Sequence, residues 1–278
     1  MTATAAPVAT ATHIVPRNNR RVTPLRVMHS EFTKLRSLRS TVFSLLAAVA
    51  FIVGFGLLVP SVMVAHWPPR NPAEAASFDP TSVSLAGIFL AQLAIGVLGV
   101  LLITGEYATG MIRATFAAVP RRLPVLFGKT GVFAGVTLLL TLPAVLAAFL
   151  LGQSILSSKH IQTTLGHPGV LRAVIGTALY LTLIGILGLA IGALLRNTAA
   201  AISTLFGLIF VLPILVHFLP SSWSQPISKY LPSQAGQAIT NVRTDPASLS
   251  PWVGFAVFCL YITLALAAAA VSLRRRDA

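Results

Sequence analysis

The stretch VSLAGIFLAQLAIGVLGVLLIT, residues 83–104, has no charged side chain and no break in its apolar character. A bilayer core about 30 Å thick needs about 20 such residues in a helix, because a helix satisfies its own backbone hydrogen bonds. The stretch also lacks the strict apolar and polar alternation of a porin-type barrel strand. It therefore predicts a membrane-spanning helix in an all-helical fold.

Five further stretches have a similar length and apolar character. The six predicted transmembrane helices are residues 41–65, 83–104, 125–151, 171–195, 198–219 and 252–273. The whole chain agrees with them, because 55% of its 278 residues are hydrophobic and only 9% are charged, whereas soluble domains carry about 25% charged residues. We therefore predict one polytopic membrane domain over residues 23–278 and exclude an ordinary soluble globular protein.

Residues 1–22 are rich in Ala, Thr and Pro and show no periodicity. This composition is typical of a disordered segment, and no apolar core with a small-residue cleavage site follows. We predict a disordered cytoplasmic tail there, without a signal peptide.

Basic residues outnumber acidic ones by 20 to 6, which gives a formal charge of +14. In a soluble protein this excess would point to a nucleic-acid partner. Here 15 of the basic residues flank one side of the predicted spans and 5 flank the other. By the positive-inside rule we predict a multi-pass protein of the cell membrane, with both termini cytoplasmic and no nucleic-acid partner.

The segment before the first span, residues 24–40, has the spacing of an amphipathic helix. Leu25, Met28, Phe32 and Leu35 follow one another at intervals of three and four, with basic residues elsewhere around the helix. This pattern predicts an interfacial helix on the inner leaflet. A merely basic flank of the first span is the alternative.

The cytoplasmic loop TGEYATGMIRATFAAVPRRLP, residues 104–124, has unusual content. Residues 112–119 are long enough for about two helical turns, and Pro120 ends them before a pair of arginines. A short amphipathic helix carrying Glu106 and Arg113 would dock in a groove of a cytoplasmic protein. A capped turn with basic topology anchors is the alternative.

The predicted outer loop, residues 220–251, is long and rich in Pro, Ser and Gln. Its middle, residues 227–239, suits either short helices at the outer interface or a plain exposed loop. Within the spans, two G-x-x-x-G pairs predict close helix contacts, and three prolines predict kinks. The glycine pairs are Gly131 with Gly135 and Gly188 with Gly192, and the prolines are Pro60, Pro143 and Pro213.

The sequence lacks the residues that ion-coupled transport, metal binding or ATP binding would require. The acidic residues fall in loops or at span ends, which disfavours a secondary transporter coupled to ions, and the histidines form no metal-binding pair. Residues 128–130 read GKT, but position 123 is leucine where a phosphate-binding loop needs glycine. Lys129 is interpreted instead as snorkelling to the inner interface. We predict no enzymatic activity, no metal and no bound cofactor in this chain, so a partner must bind any ATP.

Three ordered blocks carry a family resemblance: HSEFTKLRSLRST at residues 29–41, GEYATGMIRATFAAVPRR at 105–122 and KYLPSQAGQAI at 229–239. With the six spans, they cover nearly the whole chain. The chain resembles the membrane subunits of ABC exporters of the type-two permease family. This resemblance implies a permease that pairs with a second permease chain, identical or not, and binds separate ATPase subunits that hold ATP and Mg²⁺.

The resemblance also implies roles for two sets of residues. The block at 105–122 would couple the permease to the ATPase, and the N-terminal helix would lead into the first span and touch the ATPase. The coupling residues are Glu106, Tyr107, Gly110, Arg113, Pro120, Arg121 and Arg122. Those of the interfacial helix are Glu31, Phe32, Lys34, Leu35, Arg36 and Arg39.

A substrate pathway would need polar residues inside the spans, and few are present. The candidates are Gln92, Thr137, Thr141 and Tyr180, together with Thr182. Sparse polarity suits an apolar or amphipathic cargo, although each of these side chains would serve equally as a hydrogen bond between helices. The leading hypothesis is therefore an ATP-driven export permease. The alternatives are a membrane anchor or assembly protein that recruits a cytoplasmic partner and, less favoured, a secondary transporter.

Overall fold

The protein is described by a computed structural model, which covers residues 23–69, 71, 77–119, 122–243 and 248–275. This part of the chain is helical and has no β-strand. The helices are α1 Pro24–Ser37, α2 Arg39–Ala65, α3 Pro80–Ser84, α4 Ile88–Ala108, α5 Met111–Ala118, α6 Arg122–Leu156, α7 Val170–Leu195, α8 Thr198–Phe206, α9 Leu212–His217, α10 Ser221–Ser228, α11 Pro232–Gln237 and α12 Pro251–Arg275. The predicted tail, residues 1–22, lies outside the described residues.

Six helical segments are long and apolar enough to cross a membrane, as predicted from the sequence. They are α2, α4, α6 with the 3-10 turn Ser157–Lys159 that follows it, α7, the continuous run from α8 through α9, and α12. The bounds differ most at two places: the second span begins at Ile88 and not at residue 83, and the third continues to Lys159 and not to residue 151. The Asp79 side chain caps the separate short helix α3, and Gly87 then lies against the backbone of α2, where a Cβ would approach Phe51 O to 2.3 Å.

The fifth span changes its helical form midway. Gly207–Val211 is a π-helix between α8 and α9. Pro213 follows at the second residue of α9 and has no N–H to donate to a carbonyl of the preceding turn. A π-helical turn is a common way to absorb such a break. Pro60 and Pro143, in contrast, lie inside the uninterrupted helices α2 and α6.

Helix α7 forms the centre of the bundle. It packs against α4, α6, α8 and α12. In its most apolar stretch 78% of the residues are buried, compared with 22% in the corresponding stretches of α2 and α12. Glycines allow this contact: a Cβ on Gly99 of α4 would lie 1.9 Å from Gly185 O of α7, and one on Gly188 would lie 2.4 Å from Gly96 O. The close contact predicted for Gly188 is confirmed.

The second glycine of that pair, Gly192, is also closely packed, against Val100 O and Ile103. The prediction for Gly131 and Gly135 is wrong. No atom lies within 4 Å of a Cβ on Gly135, and only the end of Met28 lies near Gly131, at 3.9 Å, because both glycines are on the exposed face of α6.

The bundle has two ends, which we name the α1 end and the far end. At the α1 end, the start of α6 contacts the end of α12, since Arg122 Nη1 donates to Leu273 O at 3.0 Å. The start of α8 meets the last turns of α4 there too, where Thr198 Oγ1 donates to Thr104 Oγ1 at 2.9 Å. The far end holds α3, α10 and α11, together with the start of α12.

Helix α1 ends three residues earlier than predicted, because Leu38 is extended and separates it from α2. Its apolar side chains divide between the bundle and the surface. Leu35 is buried, as is Val27, whereas Leu25 is 78% exposed and Phe32 45% exposed. The buried face packs mainly against α6.

Both predicted short-helix segments are helical. Helix α5 covers residues 111–118, shifted by one residue from the predicted 112–119. In the predicted outer loop, α10 and α11 are followed by the 3-10 turn Ala238–Thr240, so short helices are confirmed there and a plain loop is wrong.

Candidate functional site

The turn between α4 and α5 depends on one glycine. Glu106 lies two residues before the end of α4, and Thr109 closes that helix. Gly110 follows with φ = 71°, a left-handed conformation that residues with a Cβ avoid. The chain can thus reverse within two residues and begin α5 directly beside the end of α4.

Helix α6 brings a lysine to the same place. Lys129 lies seven residues after the first residue of α6, which is about 10 Å along the helix axis, and its side chain is 2% exposed. The residue before it, Gly128, allows α1 to approach closely, because a Cβ there would lie 3.0 Å from Val27 Cγ1.

Four charged side chains meet between these helices, and we call them the quartet: Glu31 and Lys34 of α1, Glu106 of α4 and Lys129 of α6. Lys129 Nζ donates to Glu31 Oε2 and, at 2.9 Å, to Glu106 Oε1. Lys34 Nζ donates to Glu31 Oε1 at 2.8 Å and to Glu106 Oε1 at 3.1 Å. Each lysine therefore bridges both carboxylates.

The quartet also reaches α5. Lys34 Nζ donates to Thr115 Oγ1 at 3.3 Å, and that hydroxyl donates to Met111 O within α5. Four helices, α1, α4, α5 and α6, are thus joined through one set of polar contacts, although α1 lies far from the other three in the sequence.

The quartet is electrically neutral, with two ammonium groups and two carboxylates. Glu31, Glu106 and Lys129 are nearly inaccessible to solvent, whereas Lys34 keeps 24% of its side chain exposed. Burial by itself lowers the pKa of Lys34, but the hydrogen bond that Lys34 donates to Glu31 and the charges of Glu106 and Glu31 outweigh it and raise that pKa. Removal of one member would leave an uncompensated charge in a medium of low dielectric constant.

One oxygen of the quartet has no partner. Glu106 Oε2 is buried and accepts no hydrogen bond within the described part of the chain. Both lysines bind its other oxygen, Oε1. An unsatisfied buried acceptor costs about 1–3 kcal/mol. The carboxylate of Glu106 is therefore less well stabilised than that of Glu31, because each oxygen of Glu31 accepts a hydrogen bond from a lysine.

The other predicted coupling residues surround the quartet. Gly110 and Arg113 are exposed. Tyr107 is half-buried, with the Arg196 guanidinium 5.2 Å from its ring centroid, and Arg122 lies 5.4 Å from the ring centroid of Phe116 in α5. Pro120 and Arg121 lie outside the described residues.

The predicted residues of the N-terminal helix divide into two groups. Glu31, Lys34 and Leu35 face α6 and the quartet, whereas Phe32 and Arg36 are exposed. Arg39 is also exposed, but it is the first residue of α2 and not part of α1.

Two of the four predicted pathway residues meet in the interior. Tyr180 OH donates to Gln92 Oε1 at 2.7 Å and accepts from Gln237 Nε2 of α11 at 3.3 Å. Thr137 and Thr141 lie one turn apart on a buried face of α6, and their hydroxyls have no partner among the described residues. Gln92 and Tyr180 therefore hold α4, α7 and α11 together, and the two threonines do not join them. Thr182 bonds within its own helix, to Ala178 O.

Lys129 is the functional residue that sequence analysis assigned wrongly. It does not snorkel to the interface but pairs with two buried carboxylates. A lysine two helical turns inside an apolar span, in a chain with only six acidic residues, was itself the signal of a specific partner. The sequence does not indicate which acids are close.

Comparison with protein-family models gives no match for this chain. Comparison with curated proteins likewise finds no match. The quartet, the α5 turn and the three blocks of residues are thus the observations from which function is argued.

Proposed function

We propose that the chain is the membrane permease subunit of an ATP-driven exporter and is coupled through α5 to a separate ATPase. The quartet is the observation that carries this proposal. It connects α4, α6 and α1 by charged hydrogen bonds, of which the bond from Lys129 to Glu106 is buried. The partly buried bond from Lys34 to Thr115 joins α5 to them. A movement of α5 would therefore be transmitted to the spanning helices α4 and α6 directly, and not through a flexible linker.

Helix α5 has a surface suited to a protein partner. Ile112 is buried against the bundle at 3% exposure, while Met111, Arg113 and Ala117 are exposed. An exposed methionine beside an arginine is typical of residues enriched at protein interfaces. Such a short helix would fit a groove on the ATPase.

The charge distribution supports a cytoplasmic position for the α1 end, where a soluble ATPase would act. In the sequence, 15 of the 20 basic residues fall in the segments that precede, join or follow the predicted spans on this side, and by the positive-inside rule this excess favours the cytoplasmic side of the cell membrane. ATP and Mg²⁺ would bind to the ATPase, and a second permease chain would complete the pathway. The interior around Gln92 and Tyr180 suits an apolar or amphipathic cargo.

The experiment that tests this proposal is photo-crosslinking in cells from a crosslinkable amino acid at Arg113. The expected product joins the chain to a soluble protein that carries G-x-x-x-x-G-K-[ST]. Ser158, which is exposed in the turn after α6 at the far end, is the matched control and should give no such product. Crosslinks from both positions, or from neither, would contradict docking at α5.

Crosslinking also separates the other two functions. A membrane anchor predicts a product with a partner that lacks this motif, and no ATP-dependent movement of cargo. A secondary transporter predicts flux that follows an ion gradient. The quartet argues against that case, because its charges are paired with one another near the α1 end, whereas coupling ions bind near the membrane midplane.

A further inference from the structure

A polar cavity lies at the far end, at the opposite end of the bundle from the quartet. Its volume is about 640 Å³, within the range of roughly 300–1,000 Å³ that small-molecule sites occupy. Helices α9, α10 and α11 line it, together with residues on either side of the loop before α12.

One face of α10 supplies most of the polar lining. Ser221, Ser224 and Ser228 follow at intervals of three and four and therefore lie on the same side of the helix, and all three line the cavity. Gln225 and Lys229 line it as well. Hydroxyl, amide and ammonium groups are all hydrogen-bond donors, so this wall suits a ligand rich in acceptors.

Among the described residues that line the cavity, Lys229 carries a charge and no carboxylate is present. Lys229 is the residue directly after α10, and its Nζ lies 5.3 Å from the ring centroid of Tyr230. Tyr230 O in turn accepts a hydrogen bond from Tyr261 OH of α12 at 3.0 Å. An anionic ligand is therefore favoured over a cationic one.

The opposite face of α10 indicates the depth of the cavity in the membrane. Trp223 is 66% exposed, and Ile227 and Tyr230 are exposed beside it. Tryptophan and tyrosine concentrate where lipid headgroups meet the acyl chains, and α10 begins four residues after the fifth span ends at His217. The cavity therefore lies at the level of the headgroups, behind an interfacial helix.

We propose that this cavity binds the phosphate group of an anionic phospholipid of the surrounding leaflet. Lys229 supplies the counter-charge, and the hydroxyls of Ser221 and Ser224 donate hydrogen bonds to the phosphate oxygens, because charge-assisted bonds of this kind are the strong ones. The Ser228 hydroxyl donates to Gln225 O within α10. The exposed aromatic face beside it contacts the acyl chains. The site needs no ATPase and so stands apart from the export proposal.

The test is native mass spectrometry of the purified full chain in detergent, titrated with phosphatidylglycerol or phosphatidylcholine. Phosphatidylglycerol should bind at least about fivefold more tightly, since one lysine at a membrane surface contributes about that factor. Lys229→Gln should remove this preference. Lys159→Gln, which makes the same charge change at an exposed site of the far end outside the cavity, should leave it intact.

A second variant keeps the test decisive if Lys229→Gln does not fold. Ser224→Leu removes a hydroxyl donor and narrows the cavity without a change of charge, and it should weaken phosphatidylglycerol binding by at least about fivefold. Equal binding of the two lipids, or unchanged binding in both variants, would overturn the proposal. Displacement of the lipid by millimolar inorganic phosphate would overturn the lipid as the source of the phosphate and assign the cavity to a soluble anion.

Discussion

At the scale of single residues, Lys129 determines how the α1 end is held together. Its ammonium group is buried inside an apolar helix and is stable there only because Glu31 and Glu106 accept its hydrogen bonds. Buried ion pairs gain little over apolar replacements, but loss of one partner is costly. The quartet is thus more important for fixing how four helices meet than as a source of net stability.

Lys129→Met should destabilise the protein by about 3–5 kcal/mol, because two buried carboxylates would then share one lysine. The double variant Glu31→Gln with Lys129→Met restores neutrality and should recover about 0.5–3 kcal/mol of that loss. Unfolding in mixed micelles measures both values. Lys159→Met, at an exposed site, is the control. Additive effects of the two substitutions would show that the residues do not interact.

Gly110 and Gly105 form a second matched pair at this scale. Gly110→Ala should cost about 1–2 kcal/mol, because the left-handed φ of 71° disfavours a Cβ. Gly105→Ala, five residues earlier in α4 and with open space around its Cβ position, should instead stabilise the helix by about 0.5–1 kcal/mol. Unfolding midpoints that move in the same direction would exclude this account of the turn.

At the scale of the helices, α7 and α4 form the closest contact in the centre of the bundle. Gly99 faces the backbone of Gly185, and Gly188 faces the backbone of Gly96. Between membrane helices, small residues let backbones approach and allow van der Waals contact to replace the missing hydrophobic effect. This pairing positions Gln92 of α4 against Tyr180 of α7.

Gly99→Ala should therefore destabilise the bundle by about 1–3 kcal/mol, since a Cβ has to displace the backbone of α7. Gly135→Ala is the control, because its Cβ position on α6 meets no atom within 4 Å and the substitution there should be neutral or favourable. The comparison is made by unfolding in the same micelles. Equal losses in the two variants would contradict the packing described here.

The sequence predicted whole helices well and their tertiary contacts poorly. Each span follows from the length of an apolar stretch, and α5 follows from the length of residues 112–119 and the proline after them, so both are local signals. Glu31 and Lys129, in contrast, are 98 residues apart, and no local periodicity relates them. The predicted close contact at Gly135 was wrong for the same reason, because a G-x-x-x-G spacing does not indicate which face of a helix packs against a neighbouring helix.

At the scale of the whole molecule, the two ends differ in charge and in structure. The α1 end combines the basic excess with the quartet and α5, whereas the far end combines short interfacial helices with the polar cavity. This difference is what an ATP-driven permease requires, since energy enters at one side of the membrane and cargo leaves at the other.

The orientation predicts which end a reagent reaches from outside the cell. With Cys259, the only native cysteine, replaced by alanine, a membrane-impermeant maleimide should label Ser158→Cys in intact cells. Thr109→Cys, exposed in the turn between α4 and α5, should be labelled only after permeabilisation if, as we propose from the basic excess, that end is cytoplasmic. Labelling with the reverse preference would invert the proposed topology.

The measurement that tests the central claim most directly is purification of the tagged chain from its native membrane in mild detergent, with its partners identified and counted by mass spectrometry. We expect a soluble ATPase that carries G-x-x-x-x-G-K-[ST] in near-equal amount to the chain. Arg113→Glu in α5 should lower that amount, whereas Lys159→Glu at the far end should not. Repeated purification without such an ATPase, with crosslinking included, would contradict the permease and favour a membrane anchor.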